Sequence, residues 1–113
     1  MIITHDYPYL RFTCQIGEYR FGGSGYVDTG FDGGLVIPED SLTSLGEPVS
    51  LSEIELGNGS RTIVPIYYGV IEIGKTKYVA GIICAGNEYL LGRQVIDNFR
   101  ICFNRGKRLE LEF

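Results

Sequence analysis

The chain has 113 residues, of which 44% are hydrophobic, and a formal net charge of −4. That length suggests one domain over 1–113 and leaves little room for a second, while the apolar share is too high for a disordered tail. With 14 acidic against 10 basic side chains, the chain lacks the basic face that nucleic acid or an anionic membrane would need.

Cys14, Cys84 and Cys102 make an odd cysteine count without C-x-x-C spacing. Neither a disulfide framework nor a zinc cluster is expected, and each thiol reads as a small, reduced core residue. No basic stretch leads into an apolar run at the N-terminus, and no apolar run is long enough to span a bilayer. The expected compartment is the cytoplasm.

In chain order, "MIITHDYPYL" reads as a frayed, polar terminus that includes His5 and Asp6. "YLRFTCQI" (9–16) alternates as a strand does, and "EYRFGGSGYVD" forms the second arm of a hairpin turning near Gly17. "YVDTGFDGG" (26–34) then sets one acid, Asp28, between apolar residues and glycines; taken alone, it would be a turn acid. "PEDSLTSL" suits a turn or two of helix with Pro38 at its start. "ELGNGSRT" holds an Asn-Gly pair, a hairpin signal. "IVPIYYGVIEI" (63–73) and "KYVAGIIC" (77–84) are strands, with Tyr67, Tyr68 and Tyr78 half-buried.

"YLLG" then echoes "YVDTG" as an apolar strand ending at a glycine. "RQVIDNF" (93–99) has Val95, Ile96 and Phe99 at helical spacing, with Asp97 facing solvent. After the strand "RICF" (100–103), "NRGKRLELEF" turns into a last strand. It puts Leu109, Leu111 and Phe113 on one face and Glu110 and Glu112 on the other. Short strands punctuated by glycine, with one short late helix, predict an all-β closed or folded-over architecture. The glycine clusters match neither G-x-G-x-x-G before a helix nor a P-loop, so they predict no nucleotide cradle.

"YVDTGFDGG" followed by "YLLGRQVIDNF", with Asp28 and Gly92 64 positions apart, resembles the retropepsin-like aspartic proteases. The resemblance runs from about residue 9 to residue 104, and Phe31 makes it closer to small prokaryotic members. It implies a retropepsin-like closed β-barrel with one short C-terminal helix, one half-lobe per chain. It also implies a homodimeric endopeptidase that needs no metal or cofactor and acts on peptide or unfolded protein. Asp28 from each subunit would activate water, because two close carboxylates share one proton.

By the same resemblance, Thr29 bonds across the dimer axis and Gly30 admits the backbone close to the carboxylates. Phe31 narrows the cleft. Asp32 pairs with Arg93, tying the catalytic loop to the late helix, so that losing either partner weakens the dimer. Leu56, Gly57, Asn58 and Gly59 match the flap over bound peptide, and Leu90, Leu91 and Gly92 seat the Asp28 strand. The C-terminal strand runs past the family's usual end, which implies a differently stitched dimer. The alternatives are a non-catalytic peptide-binding or scaffolding dimer of the same fold, with Phe31 filling the cleft, and an unrelated small β-barrel with a "DTG" turn.

Overall fold

In the computed structural model, which describes residues 2–55 and 57–112, sequence alternation becomes barrel wall. Strand β2 (Tyr9–Ile16) buries every second side chain, Leu10, Phe12, Cys14 and Ile16, and exposes the others. It turns at Gly17, whose φ of +59° suits glycine, into the antiparallel β3 (Tyr19–Val27). Strand β6 (Arg61–Ile73) pairs with β7 (Thr76–Cys84) through the turn at Gly74. Its Tyr67, Ile71 and Ile73 point inward.

Two short strands complete the wall. β4 (Leu35–Ile37) runs parallel to β7 and antiparallel to β8 (Leu90–Leu91), and β8 runs parallel to β3. The order β2-β3-β8-β4-β7-β6 closes where Thr13–Gln15 pair with Val70–Glu72. The result is a six-stranded mixed barrel, as the sequence implied. Strand β5 (Ser50–Glu55) pairs with β6 beyond the barrel and makes a projecting hairpin with it. Between β4 and β5 lie a 3₁₀ turn (Glu39–Ser41) and the one-turn α1 (Leu42–Leu45). The late helix α2 (Arg93–Ile96) buries Val95 and Ile96 against the barrel.

The terminus expected to fray does not. Residues Ile2–Asp6 form β1, which pairs antiparallel with β10 (Arg108–Glu112), and β10 pairs in turn with β9 (Arg100–Asn104). This three-stranded sheet buries Leu109 and Leu111, matching the predicted face, although Phe113 lies outside the described residues. On the opposite face, Asn104 Nδ2 and Arg108 Nε both donate to Glu110 Oε1. These donors hold the Glu110 carboxyl below its ordinary range.

Two further expectations need correction. Of the tyrosines, Tyr67 is buried and its hydroxyl donates to the Gly46 carbonyl at 2.8 Å, Tyr68 is 58% exposed, and only Tyr78 is half-buried. The outer face of β6 is simply uncovered at Tyr68. Cys102 is exposed, because it sits opposite Glu110 on the open face of β9, while Cys14 and Cys84 are core residues. Burial pushes the Cys14 thiol up to about 12 and the Cys84 thiol up to about 11. Both stay protonated and unreactive near neutral pH. Iodoacetamide at pH 8 should therefore alkylate one thiol per native chain, at Cys102, and all three after unfolding, as counted by intact mass. Labelling of Cys14 in the native protein would contradict the buried placement.

Candidate active site

Asp28 follows directly on β3, and the backbone fixes where it stands. Tyr26 and Val27 are in register with Leu90 and Leu91 of β8. One step further, the Asp28 N–H donates to the Leu91 carbonyl at 3.0 Å. Val27 N–H donates to the Pro8 carbonyl on the other side, also at 3.0 Å. The chain then turns sharply: Phe31 N–H reaches back to the Asp28 carbonyl at 3.2 Å, and Gly30 N–H donates to Asp28 Oδ1 at 3.0 Å. The Gly30 N–H thus holds the carboxylate, while the Phe31 N–H closes the turn on the main chain. Thr29 is exposed at the tip of this loop.

After the turn, residues 31–34 are zipped to the start of α2. Gly92 N–H donates to the Gly34 carbonyl (2.8 Å), Arg93 N–H to the Phe31 carbonyl (2.8 Å) and Gln94 N–H to the Gly33 carbonyl (3.0 Å). The contact is close enough to need glycine on both sides. A Cβ on Gly92 would lie 2.3 Å from the Gly33 oxygen and 2.5 Å from Phe31 Cδ2. A Cβ on Gly33 would lie 2.4 Å from Phe31 Cζ. The phenyl ring is therefore seated on Gly33 and Gly92, as a wall of the cleft.

Arg93 does not pair with Asp32. Its Nε donates to Asp97 Oδ2 at 3.2 Å, one helical turn along, with both side chains more than half exposed. An exposed i,i+4 pair of this kind adds only about 0.3–0.5 kcal/mol. The tie between loop and helix is made by the three backbone bonds instead. Asp97 faces solvent, as expected.

Over the loop lies a cleft of about 720 Å³. Asp28, Gly30, Phe31 and Asp32 form one side, and Ile54, Glu55 and Gly57 of the β5–β6 hairpin form the other, with Val36, Ile83 and Leu90 between them. The ionisable groups on this lining, Asp28, Asp32 and Glu55, are all carboxylates. Of the residues expected at the site, the cleft brings together Asp28, Gly30, Phe31, Asp32, Gly57 and Leu90. Leu91 is buried in the core and acts through its carbonyl. Asn58 and Gly59 sit at the exposed hairpin turn, where Asn58 Oδ1 accepts from Ser60 N–H at 3.0 Å and Gly59 has φ of +84°. Leu56 lies outside the described residues.

Ile54 and Glu55 were not anticipated. The signal was available, since a hairpin over a cleft must present side chains just before its tip as well as at it. Val36, Ile83, Ala85 and Gly86 come from strand ends whose meeting only the barrel creates. Among the described residues, no three of His, Cys, Asp and Glu group closely enough to hold a metal ion, and no helix is long and apolar enough to cross a membrane.

No protein-family model matches the chain, and no curated protein matches it by sequence. Solved structures do. A retropepsin-like aspartic protease from Rickettsia conorii superposes with a TM-score of 0.61 at 14% identity, covering 98% of this chain and 90% of that one. The simian foamy virus (mac) protease gives 0.53 at 17% identity, covering 77% and 91%. The foamy viral protease-reverse transcriptase, solved with an RNA/DNA hybrid, gives 0.58 at 18%, covering 82% of this chain and 12% of that much longer one. The chain has the retropepsin-like fold.

Proposed function

We propose that this chain is one half of a homodimeric aspartic endopeptidase. The observation that carries the reading is Asp28: a single carboxylate, held by the Gly30 N–H at 3.0 Å, on the lining of a cleft of about 720 Å³. One carboxyl cannot be the ionised base and the protonated hydrogen-bond donor at the same moment. A second copy related by a two-fold axis supplies the other, with Thr29 at the exposed loop tip facing its counterpart. The two carboxylates hold one proton between them, because neighbouring like charges resist ionising together.

The ionised member takes a proton from water as the oxygen attacks the scissile carbonyl, and the protonated member hydrogen-bonds to the carbonyl oxygen. The tetrahedral carbon then expels the amine, which receives a proton from the pair. One water is consumed, one peptide bond is broken, and the dyad returns to its singly protonated state. Catalysis needs one ionised and one protonated member, so it is lost when both are ionised and when both are protonated. Phe31 does not support the non-catalytic alternative, since its ring rests on Gly33 and Gly92 and leaves the cleft open. Three thiols outside any disulfide fit a reducing compartment, the cytoplasm.

The test is cleavage of an unfolded polypeptide followed by mass spectrometry, over a dilution series matched to sedimentation runs. Specific activity should fall in step with the dimer fraction as the protein is diluted. A monomer at every concentration with constant specific activity, or no cleavage at any pH from acidic to neutral, overturns the proposal.

A further inference from the structure

Beside the cleft lies a second hollow of about 230 Å³. Phe31, Ile54 and Ile83 line both, so the two share a wall. The rest of the hollow is Ile66, Tyr68 and Ile82, with Gln94 of α2 and three glycines, Gly33, Gly34 and Gly81. We infer that this hollow receives one aromatic side chain of the bound peptide, and that Gly81 sets the size it admits. The inference rests on the peptide-cleaving reading of the adjoining cleft and names what that cleft prefers.

Gly81 is the informative residue. It lies within β7, paired with Tyr68, and its backbone is not in the left-handed region that favours glycine. Glycine weakens a strand interior, so a strand has no local reason to place one there. Nor does crowding demand it. A Cβ built on Gly81 would find its nearest atoms at 3.8 Å (Gln94 Oε1) and 3.9 Å (Tyr68 Cε1), ordinary van der Waals contact. Gly34 differs, since a Cβ there would lie 2.4 Å from the Gly81 oxygen. Gly34 is therefore glycine for close packing, whereas Gly81 leaves usable space.

The shape and chemistry of that space suit a ring. An apolar cavity of about 150 Å³ is enough to take up benzene, and this one is larger. Its walls are four isoleucines and the Phe31 ring, and glycine backbone gives it flat sides that a planar group can lie against. Gln94 Oε1 accepts from Gly81 N–H at 3.3 Å, which fixes the amide at the border of the hollow. Burying an aromatic side chain here, rather than alanine, should favour a peptide on the order of ten- to a hundred-fold.

The test moves phenylalanine through each position of an otherwise alanine- and serine-based peptide. Cleavage is read with the wild type, and affinity by fluorescence anisotropy with Asp28→Asn, which needs no turnover. One position should prefer Phe to Ala by the stated factor in both readouts. In Gly81→Ala the optimum at that position should move from Phe to a smaller side chain, and in Gly81→Val most of the preference should vanish. Tyr68→Ala, at an exposed wall, should shift the optimum the opposite way, toward Trp. Thermal melts confirm that each variant is folded, with Gly81→Ala the safest.

A folded Gly81→Val that keeps the full Phe preference overturns the inference, as does a wild type without an aromatic position or without any peptide binding. Cleavage with no aromatic position would sink this inference and leave the endopeptidase reading standing. The Phe pattern in anisotropy without cleavage by the wild type would do the reverse.

Discussion

Asp28→Asn should leave the protein folded and dimeric and reduce peptide cleavage by on the order of 10⁴-fold, the upper end of what a positioned acid or base contributes. Folding should survive because the one side-chain hydrogen bond at this position is from Gly30 N–H to Oδ1, and an asparagine oxygen accepts it equally well. The strand that carries the residue is held by backbone, through Leu91 and Pro8. Only the chemistry changes, since an amide can neither take a proton from water nor return one. The stronger form of the prediction is a mixing experiment. If each active unit needs two ionisable Asp28 groups, equimolar wild type and variant, unfolded together and refolded, should retain about one quarter of the wild-type activity. Independent active chains would retain about half. A value of one half, or an Asp28→Asn enzyme as active as the wild type, would remove the shared dyad.

How much of this was visible in the chain depends on which forces were local. β2 and β10 show clean alternation because each has one buried face, and Leu109 and Leu111 went to the side the pattern assigns. The turn at Gly17 and the Asn-Gly hairpin between β5 and β6 are equally local. β4 was missed because three residues carry no period; Leu35, Val36 and Ile37 are all buried, so the alternation that marks a half-buried strand never appears. β8 showed itself only as the apolar end of "YLLG", read as a strand from its echo of "YVDTG". β1 was missed because its partner, β10, lies at the far end of the chain, and nothing in "IITHD" reveals that pairing.

At the site, Asp28, Gly30 and Leu90–Gly92 stood out as motifs, and the structure brings their segments into register. The choice Arg93 makes between Asp32 and Asp97 is different in kind. The i,i+4 geometry of α2 brings Asp97, at its C-cap, to 3.2 Å from the guanidinium, and the motif alone does not show that pairing. The hollow beside Phe31 is further still from local information, since it is made by atoms that Gly81 lacks.

Gly92→Ala should be the most disruptive single substitution at the site away from Asp28, costing about 3 kcal/mol or more and lowering the melting temperature by roughly 10 °C. The added methyl would sit 2.3 Å from the Gly33 oxygen and 2.9 Å from the Gly33 carbonyl carbon. These are backbone atoms, and they belong to the segment whose three hydrogen bonds seat α2 on the Asp28 loop. Relief requires separating residues 31–34 from 92–94, which also releases the loop that positions Asp28, so activity should fall with stability. A control distinguishes this from a general intolerance of alanine, because a Cβ on Gly57 meets nothing within 4 Å and Gly57→Ala should melt like the wild type. A second control separates the two clashes. Phe31→Leu combined with Gly92→Ala removes the planar ring at 2.5 Å but not the carbonyl at 2.3 Å, so the double variant should remain as unstable as Gly92→Ala. Rescue by Phe31→Leu would mean that the ring, rather than the backbone zipper, makes glycine necessary. In that case the loop is held to the helix by packing on Phe31, and the three backbone bonds follow from it.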